Sequence, residues 1–213
     1  MSHFSKVMLG RVLSIPMLAS VPAGAFLAAS APAMAQASDP ALSTVEGLDS
    51  GLLAIMRAGA GAGQAGRERL IAPVVDRSFN IPLMTRLSVG PAWLSFSAHD
   101  QAALVAAFRT MTIAQYAHNF DGWDGQRFVV APQVMTRGLD KVVRTTLAGA
   151  GPDGEAINYR LREDGGQWKI IDVYYRNDIS QLSTRRSDFA SVLANGGASA
   201  LIARLNQLAA NPR

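Results

Sequence analysis

Apolar side chains recur every three or four positions from Asp39 to Arg57, at Leu42, Val45, Leu48, Leu52, Ile55 and Met56, which predicts an amphipathic helix. The AGAGAGQAG stretch from Ala58 to Gly66 ends that pattern and reads as a flexible connection; it lacks the Lys-Ser or Lys-Thr ending of a phosphate-cradling loop. From Arg67 to Val89 the helical period returns in short pieces, interrupted by Pro73 and Pro82, with Val75, Phe79, Leu83, Met84 and Leu87 apolar. Two bent or broken helices are expected there. Gly90-Pro91 closes this region, and Trp93 and Phe96 follow. Ser97 with Asp100 three residues later resembles a capping box, so a long helix is predicted from there to about Asn119, with Leu104, Val105, Phe108, Met111, Thr112 and Tyr116 on one side.

After Asp121-Gly122 the period changes from 3.6 to 2. Four strand-like segments follow, at about Gln126 to Val134, Leu139 to Leu147, Ala156 to Glu163 and Gln167 to Tyr175. Gly149, Gly151-Pro152-Asp153-Gly154 and Glu163-Asp164-Gly165-Gly166 supply the positive φ that hairpins need, so an antiparallel meander is expected. Ile157, Tyr159 and Leu161 alternate with Asn158, Arg160 and Arg162, which leaves one face of the sheet apolar and the other wet. A helix from about Ile179 to Ala194, a stop at Asn195-Gly196-Gly197 and a last helix from Ala198 to Ala209 complete the chain. The order points to an α+β domain, a four-stranded antiparallel curved sheet with helices packed on one face.

The amino terminus changes the picture of where this domain works. Lys6 and Arg11 precede an apolar run from Val12 to Ala31 that contains Pro16 and Pro22 and closes on Ala33-Met34-Ala35, the layout of a secretory signal peptide cleaved after Ala35. The expected organisation is a leader over 1–35 and a single exported domain over 36–213, with no Cys at the cleavage point to carry a lipid. The formal charge is +4, from 20 basic and 16 acidic residues, but Lys6 and Arg11 leave with the leader and the remainder is close to neutral. That balance gives no electrostatic case for nucleic-acid binding.

Candidate chemistry is sparse. No cysteine is present, which excludes thiolate chemistry and disulfide staples, and the histidines outside the leader, His99 and His118, fall at opposite ends of one predicted helix and cannot meet at a metal. No G-x-S-x-G or comparable nucleophile signal is found. Asp172 is the acid to weigh, because it lies within the mostly apolar run Trp168 to Tyr175. It is either a general base in an apolar pocket, as in a small isomerase or lyase, or a structural carboxylate that pairs with Arg144, Arg160 or Arg185 or caps the following segment. The structural role is the expected one.

Taken in order, Phe79-Asn80, Met84, Leu87, Gly90, Trp93, Gln101, Phe108, Tyr116 and Phe120, followed by Trp168, Asp172 and the helix from Ile179-Ser180 to Phe189, resemble the toluene-tolerance or MlaC family of periplasmic lipid-binding proteins, over about Ala41 to Leu208. The resemblance implies a non-enzymatic shuttle without a cofactor. It would carry phospholipid or hopanoid between an inner-membrane ABC transporter with an MCE-type subunit, or another lipid exporter, and an outer-membrane lipid-accepting complex. The segment from Ile179 to Phe189 is closer to the hopanoid-associated HpnM subgroup, whereas Asn80, where an Asp is common, and Tyr174-Tyr175-Arg176-Asn177 depart from the family pattern. A carrier needs an apolar pocket, and its expected lining is Leu83, Met84, Leu87, Trp93, Phe108, Tyr116, Val143, Ile157, Tyr159, Leu161, Ile171, Val173 and Phe189. Met84 and Met111 could adapt to variable chain shapes. Arg86, Arg144 and Arg160 are candidates for the pocket mouth. By pattern alone these apolar residues read as ordinary core rather than pocket, and it is the resemblance that turns the set, not each member, into a lining; a protein-binding adaptor is the remaining alternative.

Overall fold

Asp39 starts the first helix: its carboxylate accepts the Ala41 N–H at 2.9 Å and Pro40 occupies the first turn, where no amide hydrogen is needed. Helix α1 (Pro40–Ser78) then runs much further than the periodicity of residues 39–57 suggests. The computed structural model describes residues 38–176 and 179–212; the leader predicted over 1–35 lies outside the described residues.

Two glycines break α1. Gly59 (φ 53°, ψ −149°) and Gly63 (φ 61°, ψ 175°) take backbone conformations that side-chain-bearing residues rarely adopt. The chain folds back there, and the two arms of α1 press together at Gly51, where a Cβ would stand 2.7 Å from Val74 Cγ1. The segment expected to be a flexible connection is therefore a built turn. Its physical basis is Arg67, a buried residue whose Nε donates to Ala117 O at 2.7 Å and whose Nη1 donates to Gly59 O at 2.9 Å; Gln64 Nε2 adds a bond to Ala114 O at 2.9 Å. The two bonds from Arg67 are charge-assisted and take up carbonyls at the end of α3 and at the break. The break expected at Pro73 is also absent, since α1 continues to Ser78. The carbonyl deprived of its donor belongs to exposed Arg69, where water can satisfy it.

Helix α2 (Ile81–Val89) is capped by Asn80, whose Oδ1 accepts the Leu83 N–H at 3.0 Å while its amide donates to Asp164 at 3.1 Å. A 3-10 turn (Gly90–Ser95) leads to α3 (Ala98–Asn119), which begins where the Ser97 signal places it. Ser97 Oγ accepts the Asp100 N–H at 3.1 Å and donates to the Asp100 carboxylate at 2.7 Å, so the acid engages the hydroxyl and not the cap's own N–H.

Strands stand at all four expected places, and two short ones lie outside them. The first is β1 (Arg127–Val130), followed by the unexpected β2 (Met135–Arg137); the second comes in two pieces, β3 (Asp140–Val143) and β4 (Thr145–Gly149); the third is β5 (Gly151–Asp164), which begins within the stretch expected to turn; the fourth is β6 (Gln167–Tyr175), and β7 (Ile179–Ser180) adds a short seventh. All pair antiparallel. β5 is central, with β3 and β4 end to end along one edge and β6 along the other; β1 lies outside β4, β2 outside β3, and β7 outside β6. Register slips between Arg160↔Asp172 and Leu161↔Ile170, which leaves Ile171 as an extra residue in β6. Such a bulge increases local twist, and it explains why Ile170, Ile171, Asp172 and Val173 are all buried where strict alternation would expose two of them.

The result is an α+β fold in which helices cover one face of a curved antiparallel sheet. α1 lies on the sheet, α3 packs on α1, and helix α4 (Gln181–Ala210) packs on α3, α2 and β6. α4 breaks at Gly196 and Gly197, as the sequence predicts. On the opposite face Asp140 is clamped by two arginines, Arg160 Nε and Arg162 Nε, each at 2.6 Å. Burial works against its charge, but the bonds from Arg162 and Arg160 outweigh this and hold its pKa below the usual carboxylate value. Among the described residues no helix is long and apolar enough to cross a membrane.

Candidate functional site

The helical layer does not close completely over the sheet. Between α3, both arms of α4 and the end of β6 lies a cavity of about 520 Å³, within the size range of small-molecule sites. Phe79 and Met84 contribute from the α1–α2 junction, Met111, Thr112, Gln115, Tyr116 and Asn119 from α3, and Val173 and Tyr175 from β6. α4 supplies Gln181, Thr184, Arg185, Asp188, Phe189, Ser191 and Val192 from its first arm, and Arg204 and Leu208 from its second. Tyr116 organises the aromatic side of this wall, 5.5 Å from the Phe79 ring and stacked 5.9 Å from Phe120.

Of the thirteen residues expected to line a pocket, the structure brings Met84, Tyr116, Val173 and Phe189 to this cavity. The other nine stand elsewhere. Phe108, Val143, Ile157, Tyr159, Leu161 and Ile171 are buried in the main core, Leu83 and Trp93 pack half-buried against it, and Leu87 is half-buried on α2. Met111 does reach the cavity. The arginines expected at a mouth do not: Arg86 and Arg144 are exposed away from it, and Arg160 is held by Asp140 on the far face of the sheet. The sequence reasoning missed Arg185 and the polar residues around it because it selected apolar positions. Their signal was helical spacing, since Gln181, Thr184, Arg185, Asp188, Phe189 and Val192 follow one another at three- and four-residue intervals along one face of α4.

Asp172 has a structural job. Its Oδ1 accepts the Val173 N–H at 2.8 Å and the Leu182 N–H at 3.0 Å, and its Oδ2 accepts the Ser180 hydroxyl at 2.6 Å. The carboxylate thereby fixes the start of α4 against β6 and does not line the cavity, which leaves it unsuited to act as a general base there. Ser180 caps α4 as well, its Oγ accepting the Ser183 N–H at 3.0 Å. His99 and His118 are exposed at opposite ends of α3, and among the described residues no group of His, Cys, Asp or Glu could hold a metal ion.

Two ionisable groups stand out electrostatically. Arg185 donates from Nη2 to Gln115 Oε1 at 2.8 Å and lies over the Phe108 ring, 5.2 Å from its centre. Burial disfavours its charge and lowers its pKa, while Tyr116, Tyr175 and Asp172 act in the opposite direction. Burial likewise raises the pKa values of Tyr116 and Tyr175, so both phenols keep their protons. Deeper in the core, Asp49 of α1 is 4% exposed, and among the described residues neither carboxylate oxygen has a hydrogen-bond partner. Burial, aided by the charge of Glu46, pushes its pKa up to about 7; the Tyr159 hydroxyl steadies the charged form slightly without closing a hydrogen bond of regular geometry.

A family model described as "MlaC protein" matches residues 48–207. In three dimensions the chain is similar to a phospholipid-binding protein from Ralstonia solanacearum, solved in complex with a phospholipid, with a TM-score of 0.67 and 22% sequence identity over 80% of this chain and 97% of that one. At that identity the likeness is one of fold. Among curated proteins there is no match.

Proposed function

The chain belongs to the MlaC protein family, and from that premise we propose that it is a periplasmic lipid carrier that performs no chemistry. The observation that carries this reading is the cavity of about 520 Å³ between α3, α4 and β6, walled in part by apolar and aromatic side chains. Met84, Met111, Tyr116, Val173 and Phe189 would contact the acyl chains. A shuttle is needed because each CH₂ favours leaving water by about 0.8 kcal/mol, so two chains of about sixteen carbons carry roughly 25 kcal/mol against free diffusion. The fold shared with a protein solved with phospholipid bound supports phospholipid as the cargo.

The expected leader over 1–35 fits this role, since its removal would release residues 36–213 as a single exported domain. In that setting the carrier would accept lipid from an inner-membrane ABC transporter with an MCE-type subunit and exchange it with an outer-membrane complex, the route associated with toluene tolerance. Hopanoid is the competing cargo, on the strength of the segment from Ile179 to Phe189. The test is native mass spectrometry of the exported protein, purified without detergent from a hopanoid-producing host, followed by organic extraction. One phospholipid per chain is expected, and a hopanoid in its place would reassign the cargo. No lipid, even after incubation with both classes, would sink the carrier reading and leave a protein-binding adaptor.

A further inference from the structure

Between α2 and α3 the chain exposes a run of apolar side chains. The 3-10 turn Gly90–Ser95 holds no buried residue, although Pro91, Ala92, Trp93 and Leu94 stand in it and half-buried Phe96 follows. Leu94 is 81% exposed. Single exposed leucines are ordinary on a protein surface, but this one has apolar neighbours on a backbone that is already hydrogen-bonded. Ser95 Oγ donates to Ala92 O at 2.8 Å, and Gln101 Nε2, reaching back from α3, donates to Trp93 O at 3.0 Å and to Phe96 O at 3.2 Å. The Gly90 N–H donates to Arg86 O, and Pro91 has no N–H to satisfy. A turn paired in this way can leave water without stranding its polar groups, the condition for entering a lipid interface. Leu139, 80% exposed at the β2–β3 hairpin, lacks such company, since Gly138 and buried Asp140 flank it.

Two arginines border the turn. Arg186 of α4 lies against Gly90, where a Cβ would stand 3.1 Å from its Nε, and Arg86 is one helical turn earlier on α2. Both are exposed, and among the described residues neither has an ion-pair partner. An apolar tip beside unpaired cations is complementary to a bilayer with anionic headgroups: carbon enters among the acyl chains while the guanidinium groups stay at the level of the phosphates.

We propose that the Gly90–Ser95 turn, with Leu94 at its tip and Arg86 and Arg186 beside it, is a membrane-docking site that seats the protein on the surface of an anionic bilayer. This goes beyond the carrier reading and does not require it, since an empty chain would dock as well. The elements on either side of the turn also wall the cavity, α2 with Met84 and α4 with Phe189, so docking sets that side of the wall against the bilayer.

The chain has no cysteine, so Leu94→Cys and Leu139→Cys each accept a single environment-sensitive fluorophore. The labelled exported proteins are titrated with vesicles of phosphatidylglycerol and, separately, of phosphatidylcholine. On phosphatidylglycerol the emission from position 94 is expected to shift to the blue and that from position 139 to stay unchanged. Sedimentation of the unlabelled proteins with phosphatidylglycerol vesicles gives the affinities. Leu94→Asp should weaken binding about tenfold or more, and Arg86→Gln combined with Arg186→Gln about twentyfold, at about fivefold for each arginine. Leu139→Asp should leave it as it is, and salt should weaken the wild type. Failure of the wild type to sediment with phosphatidylglycerol overturns the proposal, as does equal weakening by Leu94→Asp and Leu139→Asp, or equal wild-type binding to the two kinds of vesicle. Should the wild type ignore vesicles while Leu94→Asp impairs the outer membrane in cells, the turn serves a protein surface and the membrane form is overturned. Native mass spectrometry of the same preparations keeps this result apart from the carrier reading. Leu94→Asp that holds its lipid but no longer sediments supports docking and leaves the carrier standing, whereas a wild type that docks without ever holding lipid supports docking and removes the carrier alone.

Discussion

Replacing Asp49 by Asn tests whether a carboxyl group is held in the core without a partner. Asp49 is 4% exposed, both its oxygens lack hydrogen-bond partners among the described residues, and its pKa is raised from an ordinary 3.8 to about 7. The native state thus keeps a proton that the unfolded chain releases. Stability is fully present below about pH 4, falls as pH rises towards 7, and levels off above the folded-state value. At about 1.4 kcal/mol per pH unit, the interval from 3.8 to about 7 corresponds to about 4 kcal/mol, a large share of the 5–15 kcal/mol by which a domain is typically stable. Asn removes the ionisation and keeps the size. Urea denaturation of the delipidated protein and of Asp49→Asn, at intervals from pH 4 to pH 8.5, should give curves that diverge by about 4 kcal/mol as pH rises, the variant being the more stable in alkali. All other carboxylates titrate in both proteins and cancel in the difference. Parallel pH profiles would refute the reasoning, and a variant that loses stability uniformly would show that Asp49 has a partner after all.

Arg67→Ala should lower unfolding free energy by about 3 kcal/mol, since it strips charged donors from Gly59 O and Ala117 O at the turn of α1; hydrogen exchange should localise the loss to residues 58–66. Asp172→Asn should cost about 1–2 kcal/mol by weakening the cap at the start of α4, yet the folded protein should still co-purify with lipid; complete loss of ligand at unchanged melting temperature would argue for a role of Asp172 in the site. Val192→Trp, at a half-buried position on the cavity wall, should displace ligand and reduce lipid stoichiometry several-fold with little change in the stability of the delipidated protein. Full loading of that variant would exclude the cavity as the lipid site.

Most of the architecture follows from local signals. The period of apolar residues, the Ser97 cap, the hairpin glycines and the Gly196-Gly197 stop each act over a few residues, and a sequence displays them directly. What it could not display is the fate of the Gly59–Gly63 stretch, because the order of that turn comes from Arg67 reaching the end of α3, a contact fifty residues away. The same holds for the site. Alternation identifies Val143, Ile157, Tyr159 and Leu161 as inward-facing and stops there, since a residue that faces inwards lines a cavity only if the layer opposite fails to fill the space. That is a difference between volumes contributed by separate elements, not a property of any one of them. Nor could the pattern rank Arg185 above Arg86, Arg144 or Arg160. The rotation of α4 carries Arg185, and not its neighbour Arg186, to the cavity, and α4 is anchored where Asp172, Ser180 and Leu182 meet at the end of the sheet. The sequence determined the elements and their apolar faces; the tertiary structure decided which faces meet completely and which leave room, because only assembly brings their surfaces together.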